Sequence, residues 1–105
     1  MGAIGELLRA LELDPGYFEA RSDLAVAYFQ SRNYNDAGLE YRKLLLLRPD
    51  AGAHFGLGLV LRQQGDHDGA VREFQSALKA RPDFPDARYY LAITQGQKTV
   101  DAKER

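Results

Sequence analysis

Residues 49–82 read PDAGAHFGLGLVLRQQGDHDGAVREFQSALKARP, a helix-forming stretch bounded at each end by proline. Within it Leu57, Gly58 and Leu61 fall on one helical face, and Ala70, Val71, Phe74, Ala77 and Leu78 on another. Gln64-Gly65-Asp66 is the polar turn between them. Arg81-Pro82-Asp83 ends the second segment, because a proline ring clashes with the carbonyl one turn earlier. The preceding stretch has the same design. Leu24, Ala25, Tyr28 and Phe29 form one face, Ser31-Arg32-Asn33 the turn, and Ala37, Tyr41, Leu44 and Leu45 the second face, closed by Arg48-Pro49-Asp50. Nothing alternates with strand period for long enough to compete, so the expected fold is all-α.

The design recurs at a fixed interval. Pro15, Pro49 and Pro82 are separated by 34 and 33 residues. Ala20, Ala53 and Ala87 recur at 33 and 34, as do Leu24, Leu57 and Leu91. Ala3, Ala37 and Ala70 follow at 34 and 33, in step with the larger Leu7, Tyr41 and Phe74. Pro15 and Pro82 each precede the next alanine of the series by five residues but Pro49 by four, so the connection after Pro49 is one residue short. A period of this length marks stacked supersecondary units that bury their apolar faces against neighbours.

Composition narrows the function. The chain has 105 residues, with 14 Lys+Arg against 15 Asp+Glu and a net charge of −1, which argues against a nucleic-acid binder. It has no cysteine, hence neither disulfides nor thiolate metal sites. A hydrophobic content of 45% indicates a folded chain. The longest apolar run, Leu44-Leu45-Leu46-Leu47, is far below the roughly 18 residues a membrane span needs. The N-terminus lacks a secretory pattern, and Glu6 stands where a myristoylation signal needs Ser or Thr. The expected location is the cytoplasm.

Candidate chemistry is sparse. Asp66-His67-Asp68 invites a metal reading, but the equivalent place one period earlier is Asn33-Tyr34-Asn35, so His67 fills a repeat position held by an aromatic residue. His54 has no evident second ligand. Gly56-Leu57-Gly58 resembles the start of a phosphate loop without the preceding strand or the third glycine. Ser22 has no His and acid that the repeat frame would bring to it. No catalytic residue, metal or cofactor is expected.

Leu24-Ala25, Tyr28, Ala37, Tyr41 and Pro49, then Leu57-Gly58, Leu61, Gly65-Asp66, Ala70, Phe74, Ala77 and Pro82, resemble the tetratricopeptide repeat signature from about Ala3 to Gln97. The resemblance implies an α-solenoid of antiparallel helix pairs in a right-handed superhelix, about five helices in all. The phase divides residues 1–97 into a lone second helix (3–15), two full repeats (18–49 and 51–82) and a lone capping helix (84–97), with a polar, frayed tail at 98–105. Three features depart from the pattern. Leu44 stands where the other units have Ala10 and Ala77, and Arg21, His54 and Arg88 replace a large apolar residue early in each first helix. Gly5 and Gly38 weaken their helices by about 1 kcal/mol each relative to alanine.

The resemblance further implies that the first helices line a concave groove for partner peptides. The inward positions are Ser22, Val26, Phe29 and Gln30, then Phe55, Leu59, Arg62 and Gln63, then Tyr89, Ile93 and Gln97. They make an apolar stripe rimmed by glutamine and arginine, the composition of interaction surfaces, although some of these residues could instead pack between units as core. The Lys/Asn/Arg clamp that grips acidic chaperone tails is replaced here by Ser22, Val26, Gly56, Asp86 and Tyr90. The asparagine ladder of glycosyltransferase arrays is likewise replaced, by Asp23, Gly56 and Tyr90. The expected function is a non-catalytic protein–protein interaction scaffold that binds a partner peptide or segment. The alternative is a regulatory or oligomerisation array of a larger multidomain protein, including an enzyme with its catalytic domain elsewhere. A helical-repeat RNA reader is disfavoured by the charge. Self-association is a further expectation, through Ile4, Leu7, Leu8 and Leu11 at one end and Tyr90 and Leu91 at the other.

Overall fold

Each helix starts and stops where the local chemistry directs. The computed structural model describes residues 2–104 and holds α1 (Gly2–Leu13), α2 (Phe18–Gln30), α3 (Tyr34–Leu47), α4 (Ala51–Gln63), α5 (His67–Ala80) and α6 (Pro85–Glu104). There is no strand among the described residues. Asp50 and Asp66 cap α4 and α5, their carboxylates accepting from the amides of Ala53 and Gly69 at 2.9 Å each. The count is six where about five are expected, since a lone helix, two pairs and a second lone helix add to six.

The turns inside the two pairs have the same shape and different residues. Gly65 sits at φ 85° and Arg32, its equivalent, at φ 64°. Glycine takes this left-handed conformation without steric cost; arginine does not. Arg32→Gly is therefore expected to raise unfolding stability by about 0.5–1 kcal/mol, after subtracting the extra freedom glycine has in the unfolded chain. A urea titration followed by circular dichroism checks this, and an unchanged or lowered midpoint would contradict it.

Helices adjacent in sequence pack on one another, α2 also touches α4, and the result is an elongated body of 49 × 28 × 19 Å. Its apolar core is serial. Leu11, Ala20 and Leu24 form one buried cluster, Ala25, Ala37, Tyr41, Leu44, Ala53, Leu57 and Val60 the next, and Ala77, Phe84 and Ala87 the last. Close approach depends on small residues under large ones. A Cβ on Gly58 would lie 2.6 Å from the Phe74 ring, and one on Gly56 would collide with the ring of Tyr41. Gly38 is less crowded, a Cβ there lying 3.4 Å from Val60, near ordinary contact, while Leu44 is accommodated at 1% exposure.

The polar departures have structural partners. The Arg21 guanidinium donates to Glu40 at 2.7 Å and to the Pro15 carbonyl at 2.9 Å. His54 Nδ1 lies 2.8 Å from Glu73 Oε1, and Arg88 donates to the Pro82 carbonyl at 3.0 Å. A hydrophilic tether between paired helices thus takes the place of an apolar side chain. The Arg-Pro connections add a second one, with Arg48 stacked 3.8 Å above the Phe18 ring and Arg81 4.0 Å above that of Phe84. At the C-terminal end α6 continues past Gln97 to Glu104, so residues 98–104 of the expected tail are helical, and residue 105 lies outside the described residues. Lys98 Nζ meets Asp68 Oδ1 at 2.6 Å, holding this extension to α5 and keeping the Asp68 carboxyl below its ordinary range. None of the helices is long and apolar enough to cross a membrane among the described residues.

Candidate groove between the first helices

The pairing of α2 with α3 and of α4 with α5 leaves α2 and α4 side by side, with a concave pocket of about 480 Å³ between them. Helical spacing explains its lining. Ser22, Val26, Phe29 and Gln30 share one face of α2, and Gly52, Phe55, Gly56 and Leu59 one face of α4. Tyr41 of α3 and Asp50 complete the wall. Most of the exposed lining is apolar, with Ser22, Gln30 and Asp50 supplying polar groups. Tyr41 is only 7% exposed, and burial pushes its phenol above the ordinary value. The hydroxyl is therefore uncharged at neutral pH and can donate and accept there.

Six of the eleven expected groove residues line this pocket: Ser22, Val26, Phe29, Gln30, Phe55 and Leu59. Val26 is 42% exposed and is the freest apolar contact. Phe29 is half-buried, edge-on to Tyr34 with ring centroids 5.3 Å apart. Phe55 has a double role. It faces the pocket but also packs on Phe84 at 5.0 Å and on Phe74 and Tyr90 at 5.8 Å, in the seam between units.

The other five, Arg62, Gln63, Tyr89, Ile93 and the exposed Gln97, lie outside the pocket. Arg62 is half-buried and spreads over the Tyr90 ring at 5.7 Å, while Gln63 is exposed at the last turn of α4. Tyr89 is 61% exposed, with its ring edge-on to Tyr90 at 5.2 Å, and Ile93 is half-buried on α6. Tyr41, Asp50, Gly52 and Gly56 line the pocket without having been expected there. A signal for Tyr41 and Gly56 existed in the spacing, since a large residue in one helix needs a small one opposite, and that pair forms the pocket floor. Among the described residues no group of three His, Asp or Glu side chains is placed to hold a metal ion. Asp66 instead caps α5, and Asp68 pairs with Lys98.

Known proteins share this arrangement. The tetratricopeptide repeat model matches residues 1–54, 23–83 and 55–95. A crystal structure of MamA superposes with a TM-score of 0.88 at 25% identity, covering 93% of this chain and 58% of that one. A second MamA structure gives 0.85 at 26%, covering 92% and 54%. A mutant O-GlcNAc transferase from Thermobaculum terrenum gives 0.82 at 28%, covering 87% of this chain and 18% of the enzyme. The chain thus spans a little over half the length of the MamA chains it matches. No curated protein sequence matches it. From the helix-pair period, the small-against-large packing and the match along nearly the whole sequence, the chain belongs to the tetratricopeptide repeat family.

Proposed function

We propose that this chain is a non-catalytic interaction module that seats apolar side chains of a partner segment in the concave pocket between α2 and α4. Tetratricopeptide repeats are generally protein–protein interaction modules. The observation that carries the finer reading is the pocket itself: about 480 Å³, mainly apolar in lining, with Val26 and Leu59 reaching it from two helices. Such a cavity suits one or two large side chains, and Ser22 and Gln30 can bind the backbone of an extended or helical segment at its edge. Arg62 and Tyr89 continue the surface toward α6 as additional contacts.

The test uses peptides selected from a displayed random library against the 105-residue chain. The selected peptides are expected to carry large apolar anchors. Val26→Lys, on an exposed position that does not hold the fold, is expected to lower their affinity about tenfold or more, and Leu59→Ala comparably. Calorimetric titration of both variants reads this directly. Wild-type affinity in both, with intact helical circular dichroism, removes the pocket as the binding site.

A second reading is a regulatory or oligomerisation array within a larger protein. It is favoured by the match to a segment amounting to 18% of the transferase chain, an instance of this fold inside a larger enzyme.

A further inference from the structure

The outer face of α3 carries three leucines that the fold does not use. Leu39, Leu46 and Leu47 are 53%, 86% and 50% exposed. At about 3.6 residues per turn, Leu39 and Leu46 fall on the side of the helix opposite Tyr41, whose ring floors the pocket. The repeat pattern does not call for them. The equivalent positions hold Arg72, Lys79 and Ala80 on α5, and Gly5, Glu12 and Leu13 on α1. The three leucines line neither the α2–α4 pocket nor the two clefts beside α1. Packing of α3 on α2 and α4 uses the other sides of the helix.

Basic residues surround the leucines. Arg42, Lys43 and Arg48 are exposed on α3 and its cap, and Arg72, Lys79 and Arg81 at the matching places of α5. Arg48 and Arg81 stack on the Phe18 and Phe84 rings, which hold the guanidinium groups without neutralising them. The acids of the same two helices are mostly occupied. Glu40 accepts from the half-buried Arg21 at 2.7 Å and meets Lys43 only at 3.4 Å. Glu73 meets His54, and Asp68 meets Lys98. That leaves Asp36 in the first turn of α3, with Glu12 of α1 across a cleft from Lys43. A chain of net charge −1 thus concentrates positive charge around its most exposed leucines.

We propose that this face docks on an anionic lipid surface, with Leu39, Leu46 and Leu47 entering the boundary between headgroups and acyl chains. The basic residues of α3 and α5 then meet the negative headgroups. Lipid is the occupant because the leucines stand on a projecting face and not in a groove. A protein partner would have to supply the whole pocket around Leu46, whereas a fluid surface closes around it. The flanking cations select negative headgroups over neutral ones. The contact is peripheral, since no described helix is long and apolar enough to cross a membrane. It is independent of the groove reading, because α3 contributes only Tyr41 to the pocket, from its other side.

Co-sedimentation of the 105-residue chain with vesicles tests this. Binding is expected to vesicles of equal parts phosphatidylcholine and phosphatidylserine, weakening as salt is raised, and not to pure phosphatidylcholine. Leu39→Ser with Leu46→Ser, and separately Arg42→Glu with Lys79→Glu, should each lower the partition coefficient about tenfold or more, with helical circular dichroism unchanged. Leu59→Ala, in the pocket, should leave vesicle binding unaltered. The chain has no tryptophan, so Leu46→Trp supplies a single reporter. Its emission should move to shorter wavelength on the anionic vesicles as the side chain leaves water. No binding to the anionic vesicles, binding that either paired variant leaves intact, or an unshifted Leu46→Trp emission on bound chain would overturn the proposal. So would equally tight binding to soluble polyglutamate, which would make the partner an acidic protein.

Discussion

A Phe74→Ala chain is expected to lose about 3–5 kcal/mol of unfolding stability, a large part of the roughly 5–15 kcal/mol that a domain of this size has. Phe74 has 0% exposure and is the largest fully buried side chain. Its ring lies over Gly58, and its centroid is 5.8 Å from that of Phe55 and 6.1 Å from that of Tyr90. Truncation removes contacts to α4 and α6 together, and the backbones have no side chain nearby to fill the space. The thermal midpoint should fall by more than about 10 °C. The cause can be separated from generic truncation by working from the other side of the contact. Gly58→Ala places a Cβ 2.6 Å from the same ring and should be destabilising alone, yet much less so in a Phe74→Leu background. A loss below about 1 kcal/mol for Phe74→Ala, or strict additivity in the cycle, would show that the ring is not the clamp between α4 and α5.

That contact also shows why the fold was legible. The 33- and 34-residue recurrence of Ala37 with Ala70 and of Tyr41 with Phe74 records steric pairing, and steric pairing survives in sequence as residue size. The all-α solenoid followed from the same pattern, with about five helices expected and six found. The tethers were not legible. Arg21 stood out only as a departure from the repeat pattern, and nothing tied it to Glu40 nineteen residues on; only the antiparallel packing of α2 on α3 brings them to 2.7 Å. The helical extension beyond Gln97 likewise carries a contact between distant residues that spacing does not show, Lys98 with Asp68.

The groove was legible to the depth of one helix face. The repeat resemblance assigned Ser22, Val26, Phe29 and Gln30 to the inward side of α2, and all four line the α2–α4 pocket. Spacing does not say where one unit's surface meets the next. Phe55 therefore read as a groove residue, although much of its ring contact is with Phe74, Phe84 and Tyr90 in the inter-unit seam. Tyr41 shows the converse. It matched the core signature, and its ring is also the floor of the pocket, because Gly56 leaves it uncovered.

The Arg21–Glu40 tether leads to the second large effect. Both side chains are nearly buried, at 13% and 11% exposure, and Lys43 reaches the other oxygen of Glu40 only at 3.4 Å and from a half-exposed position. Removing one partner strands the other in a poorly hydrated seam, so Arg21→Met is expected to cost about 3 kcal/mol, near the lower end for a broken buried pair because Lys43 remains. Removing both partners behaves differently. Arg21→Met with Glu40→Leu eliminates the desolvation cost of two charges and restores an apolar side chain at the position where the repeat pattern has one, so the double variant should be within about 1 kcal/mol of wild type or more stable. Urea unfolding of the two single variants and the double variant gives the coupling directly. A double variant as unstable as the sum of the singles would mean that the two side chains are not coupled and that each contributes through other contacts. A double variant that recovers would mean that charge at this position does not serve stability.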